Sequence, residues 1–362
     1  MDPAVELAGL AGVDEDELRR RARTRASEPP RLAFVFSGQS DAYAGMARVP
    51  CACSPAFAAA LAPCEAAVAL PGATLRGILD GSDDGAPLAD ARAAQPALFA
   101  LQVALAALWA SWGVTPDAVA GHSLGELAAA HAAGALTPAD AAALVAERGE
   151  LTQRLARAGR MVAALTDAAT AWAAIRADGG PVEIAAVNAP DVVALSGPPE
   201  HVERVAAALA ARGVEVVPLE TTHAFHSVCV NPVVEPLAAA AARFPTAPPR
   251  IGYASALEGR LLRDGEALDG AYWARHLREP VRFADAVRAL ADAGCTAFLE
   301  LGPSASLMRL GARCAPAGEL AWLPSLRRGA QAATLRSTAL ALWLAGVEVD
   351  LARAARELGD AA

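Results

Sequence analysis

Apolar residues fall along this chain in two rhythms. Short apolar runs, LAFVF at 32–36, Ala118-Val119-Ala120 within 117–122, and AFLEL at 297–301, which only Glu300 interrupts, predict buried strands. Between them, apolar positions recur at helical spacing over about 54–68, 92–112, 137–157, 231–243, 282–293 and 331–345. The rhythm changes over 160–220. MVAAL (161–165) predicts a strand and 168–177 a helix. VEIAAVN (182–188) and VVALSG (192–197) predict strands on either side of Ala189-Pro190-Asp191. A helix at 200–212 and a strand at 214–220 complete the segment. This β-α-β-β-α-β order predicts a ferredoxin-like small subdomain inserted in a larger α/β domain. The expected organisation is a charged N-terminal helix (about 14–24) and linker over 1–30, a large domain from 31–159 and 221–322, the small subdomain at 160–220, and a C-terminal linker and helix over 323–362.

Composition narrows the class. With 362 residues, 54% of them hydrophobic and 20% charged, the chain has material for one large core with a subdomain. A net charge of −9 argues against general nucleic-acid binding. No apolar run reads as long enough to cross a bilayer. The acidic-then-basic start is the wrong order for a signal peptide, so a cytoplasmic location and no membrane partner are expected. Six cysteines without CxxC spacing predict reduced thiols and no metal site.

The chemistry concentrates in GHSLGE at 121–126, between the strand ending at 122 and an Ala-rich helical run, 127–133. A serine at the apex of a strand–turn–helix has its hydroxyl pushed outward. Gly121 and Gly125 relieve the crowding, and the following helix start offers N–H groups to a developing oxyanion. Ser123 is therefore the candidate nucleophile, with the Leu124 N–H as an oxyanion donor. A serine hydroxyl needs a base. The segment THAFHS at 222–227 carries two histidines where the chain re-enters the large domain, across an expected cleft. His226 is the first candidate and His223 the second. His122 lies on the opposite side of the turn from Ser123, and His131 and His201 fall on helical patterns as ordinary histidines.

These motifs, taken with others in order, resemble the malonyl-CoA:acyl-carrier-protein transacylase family, and most closely the acyltransferases of modular polyketide synthases. The residues that carry the resemblance are FVFSGQ (34–39), QPALFALQVALAALW (95–109), GHSLGE, AERGELTQ (146–153), HAFHS (223–227), YWARHLREPVRFADAV (272–287), FLELGPSASLM (298–308) and LPSLRRG (323–329). The resemblance implies an α/β-hydrolase-like large domain. It also implies a Ser123–His226 dyad in which a backbone carbonyl, at His276, orients the base in place of a carboxylate. Gln39 and Leu124 would supply the oxyanion N–H groups. Arg148 would grip the free carboxylate of a malonyl-type acyl group, and Gln95, His122, His223 and Phe225 would line the pocket. The donor would be malonyl-CoA and the acceptor the phosphopantetheine thiol of an acyl carrier protein, with no bound cofactor.

HAFH at 223–226 accompanies malonyl units in the relatives, as Phe225 would fill the space of a C2 methyl; Leu124 agrees. Several positions depart from the family pattern: Ser37, Ser40 and Ala42 in the first loop, Val228-Cys229-Val230 after the base, and GYASALEG at 252–259. They leave room for an unusual acyl group or an acyl-carrier donor. A start at Met1 with a short helix and an end at Ala362 read as a freestanding, trans-acting monomer, or as an excised domain. Arg313 and Arg327-Arg328 are candidates for docking the acidic carrier. The rivals are an editing acyl hydrolase of the same fold, which Arg148 argues against, and an α/β-hydrolase esterase, which would need a carboxylate beside His226.

Overall fold

A computed structural model describes residues 3–10, 12, 14–22, 29–39, 42–70, 72–83, 85, 88–315 and 320–359. Ser40 and Asp41, in the first of the departing loops, lie outside the described residues. The first half of the large domain runs α1 (Pro3–Leu10), α2 (Glu15–Ala22), β1 (Arg31–Phe36), α3 (Arg48–Cys53), α4 (Pro55–Ala67), α5 (Leu75–Asp80), α6 (Ala91–Ser111), β2 (Ala118–Gly121), α7 (Gly125–Ala132) and α8 (Pro138–Leu155). The small subdomain follows as β3 (Arg160–Ala164), α9 (Ala168–Asp178), β4 (Glu183–Ala189), β5 (Val192–Gly197), α10 (Pro199–Ala210) and β6 (Val216–Pro218). The chain then returns through α11 (Asn231–Ala241), β7 (Gly252–Ser255), β8 (Arg260–Leu261), α12 (Gly270–Arg278), α13 (Phe283–Asp292), β9 (Cys295–Leu301), α14 (Ser306–Gly311), β10 (Ala321–Pro324), α15 (Gln331–Leu344) and α16 (Leu351–Leu358).

The large sheet has the order β10-β9-β1-β2-β7-β8 and is parallel except for β8. Its central strands are buried along nearly their whole length, as their mostly apolar sequences require when helices cover both faces. The small sheet has the order β4-β5-β3-β6 and every pairing in it is antiparallel. Numbered within the subdomain this is 2-3-1-4, the ferredoxin-like arrangement. Val162, Ile184, Val193 and Leu195 of the sheet share a separate core with Ile175, Val202, Val205 and Leu209 of its two helices. The tail expected from 323 begins inside β10, which adds a sixth strand to the large sheet.

One expectation fails. Helix α6, at 21 residues, is long and apolar enough to cross a bilayer. Its most apolar stretch is 83% buried inside the fold, so it is a core helix. Its apolarity is all-round because it packs against both α4 and α8, the pattern of a helix surrounded by protein.

Candidate active site

The parallel register places the candidate chemistry. β1 and β2 are neighbours with Phe36 opposite Gly121, so the loops leaving their C-terminal ends, Ser37–Gln39 and His122–Leu124, lie side by side. The turn after β2 is compressed. A Cβ on Gly125 would lie 2.2 Å from the Phe36 carbonyl oxygen, and one on Gly121 would lie 2.2 Å from the Glu126 nitrogen. Ser123 takes φ +49° at the apex. Among the described residues one other non-glycine residue has positive φ, His226 at +57°. Such conformations are costly for an L side chain and persist where the surrounding structure enforces them. Here they fall on the candidate nucleophile and the candidate base.

Those two side chains meet: Ser123 Oγ lies 2.8 Å from His226 Nε2. The other ring nitrogen, Nδ1, lies 2.8 Å from the backbone oxygen of Glu279. With Nδ1–H donating to that carbonyl, Nε2 is the lone-pair nitrogen facing the serine. This corrects the expectation that the carbonyl of His276 orients the base. His276 lies within α12. Glu279 caps that helix, in the extended conformation (φ −82°, ψ 160°) that the following Pro280 imposes, and this swings its carbonyl out of the helical ladder toward His226. The loop is held on both sides. The Val281 N–H donates to Ala185 and the Val281 carbonyl accepts from Val187, both on β4, while the Arg282 N–H donates to Ala256.

His226 is 3% exposed. Burial, followed by the nearby His276 and Arg148, pulls its pKa well below the usual histidine value, and the Glu279 carbonyl opposes the shift. The imidazole is thereby held neutral, as a general base must be.

Arg148 lies on α8, which approaches α6 so closely at Gly149 that a Cβ there would sit 2.7 Å from the Ala91 carbonyl oxygen. The guanidinium is 2% exposed and donates to Gln95 Oε1 at 2.6 Å. Its Nε and the Gln95 amide nitrogen are buried without a hydrogen-bond partner. No carboxylate of the described residues forms an ion pair with it, and burial pulls its pKa down to about 10. The Phe225 ring lies 5.6 Å from the guanidinium carbon, and Phe225 precedes the base. Arg148, Gln95, Phe225 and His226 are thus gathered at one place.

The remaining expected residues fall around this centre. His122 Nε2 lies 2.8 Å from Asn188 Oδ1 on β4, which ties the loop of the nucleophile to the small subdomain. Asn188 carries no sequence signal of its own beyond being the polar residue at the end of VEIAAVN. His223 is 6% exposed, with Nδ1 2.9 Å from Thr222 Oγ1 and its ring 5.8 Å from that of Phe225. Leu124 is buried at the start of α7, which has no side-chain cap, and Gln39 is half-buried in the turn beyond β1. The candidate docking residue Arg313 is ion-paired with Asp191 on the small subdomain, and Arg328 lies 4.7 Å over the Tyr43 ring. Arg327 and Arg328 are both exposed. The six thiols are all unpaired, and no cluster of metal-ligating side chains occurs among the described residues.

Comparison with known proteins identifies the family. The family model described as "Acyl transferase domain" matches residues 33–349. The polyketide synthase GfsA of Streptomyces halstedii is 39% identical over 95% of the chain. The chain spans only 5% of that synthase. Among solved structures, the acyltransferase domain from the second module of the salinomycin polyketide synthase superposes with a TM-score of 0.83 at 40% identity, covering 90% of this chain and 76% of that one. The malonyl-CoA:acyl carrier protein transacylase of Xanthomonas oryzae superposes with a TM-score of 0.77 at 30% identity, covering 85% and 98%.

Proposed function

The chain belongs to the acyl transferase domain family, and we propose that it moves a malonyl-type acyl group from coenzyme A, through an ester on Ser123, to the phosphopantetheine thiol of an acyl carrier protein. The observation that carries the malonyl part is Arg148. A buried guanidinium without a carboxylate partner is costly to keep, and a substrate that brings a carboxylate satisfies it. Bidentate pairing would also orient the acyl group.

Ser123 Oγ attacks the thioester carbonyl as His226 Nε2 takes its proton. The negative charge that develops on the carbonyl oxygen is met by the N–H groups of Gln39 and Leu124, which the β1–β2 register brings to adjacent loops. The tetrahedral species collapses with cleavage of the C–S bond, and His226 returns its proton to the departing CoA sulfur. The acyl ester then meets the carrier thiol, His226 takes the thiol proton, the new C–S bond forms, the bond from the acyl carbon to Ser123 Oγ breaks, and His226 returns the proton to Oγ. The carbonyl of Glu279 stabilises the imidazolium in both halves without being consumed.

Intact-protein mass spectrometry tests this. Malonyl-CoA should add one malonyl group, on Ser123, and Ser123→Ala should abolish the addition. The ester should decay faster when a phosphopantetheinylated carrier protein is supplied than in buffer. Decay at one rate in both, releasing free acid, would make the protein an acyl hydrolase.

A further inference from the structure

Next to the dyad lies a buried polar cluster that the transfer chemistry above does not use. Its centre is Glu126, fully buried three residues after Ser123. The Tyr253 hydroxyl donates to its Oε1 at 3.3 Å and to its backbone oxygen at 3.1 Å, and the Ala256 N–H donates to Oε2 at 3.2 Å. The Tyr272 hydroxyl also donates to Oε1, by a short bond. Tyr272 accepts in turn from Ser255 Oγ at 2.6 Å, and Ser255 accepts from the Glu258 N–H. His276 Nε2 is 3.5 Å from Oε2, at ion-pair distance when that ring is protonated. Burial, then the nearby carboxyl of Glu126, drives the pKa values of both tyrosines well above 10, so each keeps the proton that it donates.

The elements that meet here are those that must hold the dyad. Glu126 lies in the first turn of α7, whose preceding residues carry Ser123. Tyr272 and His276 are one turn apart on α12, and the next turn along the same face ends at Glu279, whose carbonyl holds His226 Nδ1. The His276 ring stacks parallel to Tyr272 at 6.4 Å and meets the His226 ring edge-on at the same distance. Ser123 and the Glu279 carbonyl therefore approach His226 from two helices, and one carboxyl group joins those helices.

We propose that Glu126 and Tyr272 are positioning residues: their bond fixes the spacing between the serine and the carbonyl that hold the two nitrogens of His226. Proton transfer across the 2.8 Å Ser123–His226 contact, with the ring held by its 2.8 Å bond to the Glu279 carbonyl, tolerates little change in that spacing. The proposal rests on the Ser123–His226 reading, though not on the identity of the acyl group. The probe is accordingly a fluorophosphonate, which reacts with an activated serine whatever its natural substrate.

The experiment compares wild type, Tyr272→Phe and Glu126→Gln. It measures the rate of phosphonylation of Ser123 per reactive site, counted by active-site titration, and the nitrogen-15 NMR signal of the His226 Nδ1–H. Tyr272→Phe keeps the ring packing and removes one donor. Its phosphonylation rate is expected to fall between about 10- and 100-fold. The Nδ1–H resonance should move upfield, and KM for malonyl-CoA should stay unchanged. Glu126→Gln should shift both readouts in the same direction. If either variant fails to fold, the other decides. A Tyr272→Phe protein that reacts at the wild-type rate per site with its Nδ1–H resonance unmoved overturns the proposal, even when its melting temperature falls. Wild-type phosphonylation at a residue other than Ser123 overturns the acyl-transfer reading as well.

Discussion

The two sheets of this protein hold their interiors together differently. The small sheet buries an apolar cluster of Val, Ile, Leu and Ala with its two helices. The large sheet buries Glu126, Arg148, His226, His276 and Glu300 within one core. Buried ionisable groups of this kind are expensive, and a fold keeps them where their hydrogen bonds or their ligands compensate. The small subdomain reaches the chemistry through a few contacts, the Asn188–His122 bond and the backbone bonds of β4 to Val281. In this account the large sheet supplies reactivity, and the small one walls and braces the site.

Breaking the large-sheet side should give the largest effect. His226→Ala is expected to slow Ser123 acylation by about 10² to 10⁴-fold, the loss typical of a general base, in single-turnover labelling with malonyl-CoA. The pH profile sharpens the test. Because burial holds the folded pKa of His226 below the unfolded value of 6.5, the base remains neutral at pH 6.5 and the acid limb of the acylation rate should lie below it. For stability the sign is the same. As pH falls below 6.5 the unfolded chain takes up the proton first, so stability is lost between 6.5 and the folded pKa and is unaffected above it. Removing the Arg148 charge should move the acid limb to higher pH.

On the other side of the comparison, Leu195→Ala in the small core should cost about 2–5 kcal/mol of stability, as buried Leu truncations do, read by denaturant unfolding. Acylation per folded molecule should remain close to wild type. A loss of chemistry matching that of His226→Ala would erase the distinction between the two sheets. A smaller effect is expected at the wall of the pocket. Phe225→Ser should narrow the preference for malonyl-CoA over methylmalonyl-CoA by about 1–3 kcal/mol in competition assays.

The legibility of the sequence follows from the same contrast. The small subdomain is readable strand by strand, because alternation and helical spacing are local signals and its core contains little else. Ser123 and His226 are readable because the strand–Ser–helix context and the paired histidines are each contiguous. β7, β8 and β10 are short, and β8 has two residues, so no period establishes itself. α6 reads ambiguously: the apolarity that buries it on all sides also satisfies a test for a membrane helix. The Glu279 carbonyl is a backbone atom, and its mark in the sequence is Pro280 after it. The bond from His122 to Asn188 and the ring of contacts around Glu126 join residues far apart in the chain, and nothing local announces them. The site was thus legible in its reacting groups and obscure in what holds them in place.

The central claim is that the buried Arg148 guanidinium selects an acyl group with a free carboxylate. The most direct measurement is the initial rate of acylation by malonyl-CoA and by acetyl-CoA, followed by intact mass, in wild type and in Arg148→Ala. The account predicts that Arg148→Ala loses malonyl transfer by the worth of a charge-assisted pair, about 1.5–3 kcal/mol or roughly 10- to 150-fold, while acetyl transfer changes little. An equal loss for both substrates would show that Arg148 supports the fold and does not read the substrate.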